Sequence, residues 1–258
     1  MKKFLALLLS LVMLLSLAAC GGNNTGGTTG ENTGSGNTSG SNTGDSTDTG
    51  DTAGTGEIQP TLTIGIASDI NNLDPQDQND QINNNCIALT HQTLVFLANE
   101  NNEYLPCLAE SWEWTDDTHL VFHLVQNANF SDGTPFNADD VVFTYEKAMD
   151  PDRSAVAATL SLVESVEKID DYTVQFVTSS YSNELLAVLA GYPLVILSKE
   201  AYEDPSNEEP YLIGTGRYVF NEWKQSEYVS FVKNENFWGE DPGVAEEIIF
   251  RPILESAS

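Results

Sequence analysis

The side chains with the greatest chemical reach are His119 and His123, the carboxylates Asp132, Asp139 and Asp140, and the thiols Cys86 and Cys107. Two histidines four residues apart on one helix face could share a metal ion. Here Leu120, Phe122 and Leu124 alternate with His119, Val121 and His123, which predicts a strand. On a strand, residues four apart lie about 13 Å apart, too far to hold one ion. The three aspartates could suggest acid–base chemistry, but their setting already accounts for them. Asp132 falls in a tight turn, Ser131-Asp132-Gly133-Thr134-Pro135, and Asp139 and Asp140 follow Asn137, a credible N-cap. Acids are favoured in a first helical turn by the helix dipole. Gly214-Thr215-Gly216 could cradle a phosphate, but no Lys follows and the next elements read as strands. No Gly-x-Ser-x-Gly elbow, His-Glu-x-x-His pair, Cys-x-x-Cys or paired catalytic carboxylate occurs, and there are 3 histidines in all. The expectation is a protein that is not an enzyme, without catalytic residue, metal or cofactor.

The elements that must position these residues read as α/β. A strand is predicted over Thr61–Ile66, then a polar loop over 68–81 containing Asn71-Asn72-Leu73-Asp74-Pro75. Helical spacing over 82–95 predicts a helix, and 99–103 a turn. Strands at 111–115 and 119–125 flank an Asp116-Asp117 turn. A helix follows Asn137 and stops at Met149, before Pro151. A hairpin is predicted from 163–169 and 173–178, a helix at 184–190, a buried strand at 194–197 and a Ser198-capped helix to Tyr202. Two closing strands cover 228–233 and 247–253. Trp112, Trp114, Phe122 and Phe130 read as core, whereas Tyr218, Trp223 and Trp238 are better placed to face a cleft.

The N-terminal sixty residues follow a different logic. Lys2 and Lys3 precede an apolar run over 4–17 that is short for a bilayer span, which takes roughly 20 residues. Leu17-Ala18-Ala19-Cys20 resembles a bacterial lipobox, which makes 1–19 a signal peptide and Cys20 the lipidated residue. Two acyl chains suffice for stable anchoring. Residues 20–59 are almost wholly Gly, Asn, Thr and Ser, and predict a disordered tether reaching about 30–40 Å. Its acids, among them Asp45, Asp48 and Asp51, lack calcium-loop spacing. A net charge of −29 argues against a nucleic-acid partner. With Cys20 lipidated, Cys86 and Cys107 form an even pair that allows a disulfide, and two separate thiols fit equally well.

The densest pattern lies at 105–145: Pro106, Leu108-Ala109-Glu110-Ser111-Trp112, the Phe130 to Phe136 run FSDGTPF, and Ala138 with Asp140-Val141-Val142. Leu73-Asp74-Pro75, Gly214-Thr215-Gly216 with Tyr218 and Trp223, and Asn234 with Phe237-Trp238-Gly239 extend it. Together these resemble the family 5 extracellular solute-binding proteins, the capture subunits of ABC importers for peptides, nickel complexes and related solutes. Arg217 stands where Pro is usual, and Phe237 where Tyr is common. The resemblance implies a type II periplasmic-binding-protein-like α/β lobe from 60–85 and 190–254. It implies a small inserted α+β domain at 86–189. Members run much longer, so a second large lobe is expected to be missing from these 258 residues. The implied partners are a peptide or small-molecule ligand, the permease subunits, and the outer face of a bacterial membrane through the lipid anchor. The candidate ligand residues flank strand ends of the main lobe: Asn71, Asn72, Leu73 and Asp74, and Gly214, Thr215, Gly216 and Tyr218, where glycine lets a backbone approach a ligand closely; that both segments are simply turns fits equally well. The rival reading is a tethered interaction or sensor module without a transport role.

Overall fold

A computed structural model of the chain describes residues 60–78, 80–98, 103–241 and 243–253. The predicted signal peptide, Cys20, the tether and most of the 99–103 turn lie outside the described residues. The first strand, β1 (Thr61–Ile66), leads through a polar loop to helix α1 (Gln81–Thr90). A ribbon of β2 (Val95–Ala98) and β3 (Glu103–Pro106) follows, then β4 (Ala109–Trp114), β5 (His119–Leu124) and helix α2 (Ala138–Met149). Next come β6 (Val163–Asp170), β7 (Thr173–Thr178), and the short helices α3 (Leu185–Leu189) and α4 (Lys199–Glu203). The described chain closes on β8 (Tyr218–Lys224), β9 (Tyr228–Lys233) and β10 (Glu247–Pro252).

Two four-stranded sheets result. One, ordered β4-β5-β7-β6, is antiparallel throughout. The other, ordered β1-β10-β9-β8, places β1 parallel to β10, with Thr61 opposite Glu247 and Ile66 opposite Pro252. Each sheet has its own apolar core. Alternation sends Leu120, Phe122 and Leu124 inward, and Phe176 meets the rings of Tyr145 at 4.8 Å and Phe122 at 5.3 Å. In the second core Phe231 packs edge-on against Phe220 and Phe250, beside Ile66, Leu73, Cys86 and Tyr218.

Helix α2 forms where its local signals converge. The Asn137 side chain accepts the Asp139 N–H, and the Asp140 carboxylate accepts the Asn137 N–H in return. Two expectations are corrected. The helix predicted over 82–95 ends at Thr90, because His91 turns extended and Val95 already belongs to β2. The strand predicted at 194–197 is instead the end of a 3-10 turn (Tyr192–Leu194) followed by buried extended chain without a strand partner: Ile196 donates to the Gln92 carbonyl and Leu197 to Thr144 Oγ1. Strand β8 was not predicted, and a bulge between Phe220 and Glu222 interrupts its alternation.

Candidate ligand-binding segments

At the carboxyl end of β1 the chain enters a loop built from Asx turns. Asn71 Oδ1 accepts from Asn83 Nδ2 at 2.8 Å, which ties the loop to the first turn of α1. Asn72 Oδ1 accepts the Asp74 N–H at 2.8 Å, and Asp74 Oδ1 accepts the Gln76 N–H at 2.9 Å. Leu73 turns inward to the core, Asn71 stays exposed, and Asn72 is half-buried with its Nδ2 donating to Asp77 Oδ2 at 3.2 Å. Beside this loop Asp69 Oδ2 accepts from Ser226 Oγ at 2.9 Å, at the tip of the β8–β9 hairpin. Open α/β sheets bind ligands outside the carboxyl ends of their parallel strands, and β1 and β10 both end here.

The second segment sits elsewhere. Tyr218 opens β8 opposite Lys233, at the amino end of β1, and Gly214 to Gly216 lie against the last turn of α1. The Asn71 loop meets the opposite end of that helix, which at ten residues is about 15 Å long. The two sets of candidate residues are therefore not brought together. The space in front of both glycines is filled by the chain itself. A Cβ on Gly214 would stand 2.2 Å from the Thr90 carbonyl oxygen, and one on Gly216 2.4 Å from that of Leu89. Gly216 N–H donates to Thr90 O at 2.8 Å, and Gly214 O accepts from Ser131 N–H at 2.9 Å. Thr215 is fully buried, and the Tyr218 hydroxyl donates to the Ala245 carbonyl at 3.1 Å. Here glycine serves close packing of backbone on backbone.

Next to this junction His91 is buried, with Nδ1 2.8 Å from Thr90 Oγ1 and no hydrogen bond at Nε2. Burial holds its pKa down at about 4, opposed by the Ile213 main chain. His119 is engaged by Asp116, whose carboxyl is held down at about 2, first by the Thr118 N–H and then by His119. Among the described residues no group of three or more His, Cys, Asp or Glu side chains is arranged to hold a metal. Cys86 and Cys107 are both free thiols, pushed up by burial to about 12 and about 11.

Two concave features were not anticipated. A groove of about 630 Å³ lies between the amino ends of α2 and α4, and Asp132, Asp139, Asp140, Glu200 and Glu203 line it around Lys199. Burial raises Asp140 to about 6, although the N–H groups of Lys199 and Asn137 both donate to it. A smaller pocket of about 350 Å³ gathers Gln92, Phe96, Leu105, Cys107, Arg217 and Trp238. Trp238 was singled out in the sequence for its loop position; its indole N–H donates to Gln92 Oε1 at 2.9 Å. Gln92 carried no sequence signal.

These two sheets and their connections define a class, the type II periplasmic-binding proteins. The ABC transporter-associated periplasmic binding protein DppA of Helicobacter pylori, solved in complex with the peptide STSA, superposes with a TM-score of 0.68 at 26% identity. That match covers 76% of this chain and 43% of the other. Within the class, the chain belongs to the bacterial extracellular solute-binding proteins, family 5, whose middle-region model matches residues 103–258. Heme-binding protein A of Haemophilus influenzae is 30% identical over 57% of this chain and 32% of its own length. The glutathione-binding protein GsiB of Escherichia coli K12 is 28% identical over 76% of this chain and 38% of its own. The chain thus spans well under half the length of these relatives. Among the described residues no helix is long and apolar enough to cross a membrane.

Proposed function

We propose that the chain is the solute-capture component of an ABC importer, held on the outer face of a bacterial membrane through a lipid on Cys20. Its ligand is an oligopeptide or a similar small solute. Membership of family 5 carries this reading. The Asn71 to Asp74 loop, with Asn71 exposed and Asn72 half-buried beyond the carboxyl end of β1, is the segment proposed to meet the ligand. The division into a main lobe (60–85 and 190–254) and an inserted domain (86–189) belongs to the same proposal. Two separate cores support a division, one around Phe122 and Phe176 and one around Phe231 and Phe250, but Cys86 packs in the second core, and Leu194 and Ile196 pack in the first, across those bounds. Binding by these 258 residues is expected to be weak, since they correspond to only 38% of GsiB and a ligand gripped from one side loses much of its buried contact. Titration of the chain with di- to pentapeptides, followed by amide chemical shifts, should give saturable changes centred on residues 69–74. No saturable change at millimolar peptide overturns the proposal. Release of the protein from the membrane fraction by Cys20→Ser tests the anchor.

A further inference from the structure

Inside the contact between the β1–α1 loop and α2 lies a charge that packing does not require. Lys147, on α2, is 7% exposed. Its Nζ donates to Gln76 Oε1 at 3.3 Å, stands 3.9 Å from Asp74 Oδ1, and lies 5.5 Å from the centre of the Tyr202 ring on α4. Gln76, fully buried, is the relay. Its Nε2 donates to the Thr144 carbonyl at 3.1 Å, and its own carbonyl accepts from Ser154 Oγ at 3.2 Å and Ala155 N–H at 2.8 Å. The bonds then run outward, from Gln76 N–H to Asp74 Oδ1 and from Asp74 N–H to Asn72 Oδ1. A continuous chain therefore links α2 to the half-buried Asn72, beside the exposed Asn71, with Asn72 Nδ2 held in turn by Asp77 Oδ2 at 3.2 Å. Removing an ammonium group from water is costly, and an apolar side chain of similar volume would often fill such a site as stably. A retained charge points to a demand for geometry.

We propose that Lys147 is the positioning residue of the Asn71–Asp74 loop, clamping Asp74 and Gln76 so that Asn72 is presented in one conformation. The inference rests on the proposed ligand role of that loop, but the clamp itself can be read without ligand. The charges facing Lys147 are Asp74 and Asp77, which favour the ammonium, and Arg153, which opposes it. Burial is the largest influence and lowers its pKa below the ordinary 10.5. As pH rises through that lowered value the clamp loses its charge and the loop should loosen. Global stability should move the other way in the same window, because the native state holds this proton less tightly than the unfolded chain. A residue that merely stabilised the fold would shift both together.

The experiment is amide hydrogen exchange on the whole chain, comparing wild type, Lys147→Met and Lys147→Arg. Lys147→Met is expected to fold, judged by circular dichroism, and to speed exchange of the Asp74 and Gln76 amides about tenfold, with the β5 and β7 amides unchanged. Lys147→Arg should restore most of the protection. Unchanged loop exchange in folded Lys147→Met, or equal acceleration in the sheet, overturns the clamp. Should Lys147→Met fail to fold, the wild-type pH series decides: loop protection that does not fall relative to the sheet as pH rises overturns it. Peptide titration of the same proteins separates the two readings. A wild type that binds no peptide refutes the ligand role and leaves the exchange result standing. A wild type that binds should lose about tenfold in affinity with Lys147→Met.

Discussion

Gly216→Ala tests whether the Gly214 to Gly216 turn is built for packing or for a ligand. An added Cβ would sit 2.4 Å from the Leu89 carbonyl oxygen, 2.5 Å from the Thr90 carbonyl carbon and 2.8 Å from the His91 nitrogen. All three are main-chain atoms at the end of α1, so no side chain can swing aside. Overpacking of this kind costs about 1–3 kcal/mol. Backing the turn away also weakens the 2.8 Å bond from Gly216 N–H to Thr90 O, worth about 1 kcal/mol more. For a folded unit of this size 1 kcal/mol lowers Tm by about 2–4 °C, so the fall should be roughly 10 °C. Gly133→Ala is the control. Gly133 has a φ of 89°, but the nearest atom to an added Cβ is Asn236 Nδ2 at 3.8 Å. It should cost only the left-handed strain of about 1–2 kcal/mol. Thermal melts by circular dichroism, with urea titration for ΔG, compare the two. A Gly216→Ala melt no lower than that of Gly133→Ala refutes the packing argument. So does a variant of normal stability that has lost peptide binding.

Two other expectations concern the same junctions. Asn137→Ala removes the side-chain half of the capping box on α2 and should lower urea stability by about 1–2 kcal/mol, with an unchanged value speaking against that cap. His91, held at about 4, contributes stability that is full above 6.5 and is lost as pH falls from there toward 4, by up to about 3 kcal/mol. Asp140, raised to about 6, has the opposite sign, since its contribution is full below 3.8 and lost as pH rises through 6. The two offset each other in the wild type. Asp140→Asn should therefore uncover the His91 slope, and a stability flat from pH 6.5 to 4 in that variant would contradict it.

Elements with local signals were legible. Helix α2 has its cap, its first-turn acids and a Pro two residues beyond its end, and β1 and β7 match their predicted bounds. What failed depends on partners distant in sequence. Helical spacing runs on past Thr90, yet the helix stops there because the Thr90 carbonyl accepts from Gly216 and the Thr93 carbonyl from Leu108. Residues 194–197 are as apolar as a strand, but the Leu194 and Val195 amides bond back to Gly191 and Tyr192, and those of Ile196 and Leu197 go to Gln92 and Thr144 rather than to a ladder. The candidate site was half legible for the same reason. The loop after β1 could be placed from its polar run, whereas Lys147 acts through Gln76, 71 residues earlier. The reading of the glycines as ligand-facing took backbone approach as a ligand signal. The backbone approached is that of α1.

This bears on what the most recognisable part of the chain encodes. Within 105–145, Leu108, Phe130, Phe136, Ala138 and Val141 are almost completely buried. The polar members are spent locally: Asp132 accepts from the Thr134 N–H and hydroxyl, and Asp140 holds the amino ends of α2 and α4 together. A family is recognised here by residues that build a core and its turns, and such residues say little about which solute is bound. Choice of solute must rest on side chains that the core leaves unclaimed. Asn71 and Asn72 come nearest to that condition: Asn71 is exposed at the strand end, and the half-buried Asn72 is fixed through Asp74, Gln76 and Asp77. Sequence change in the 105–145 block should therefore alter stability, and change at Asn72 should alter the ligand.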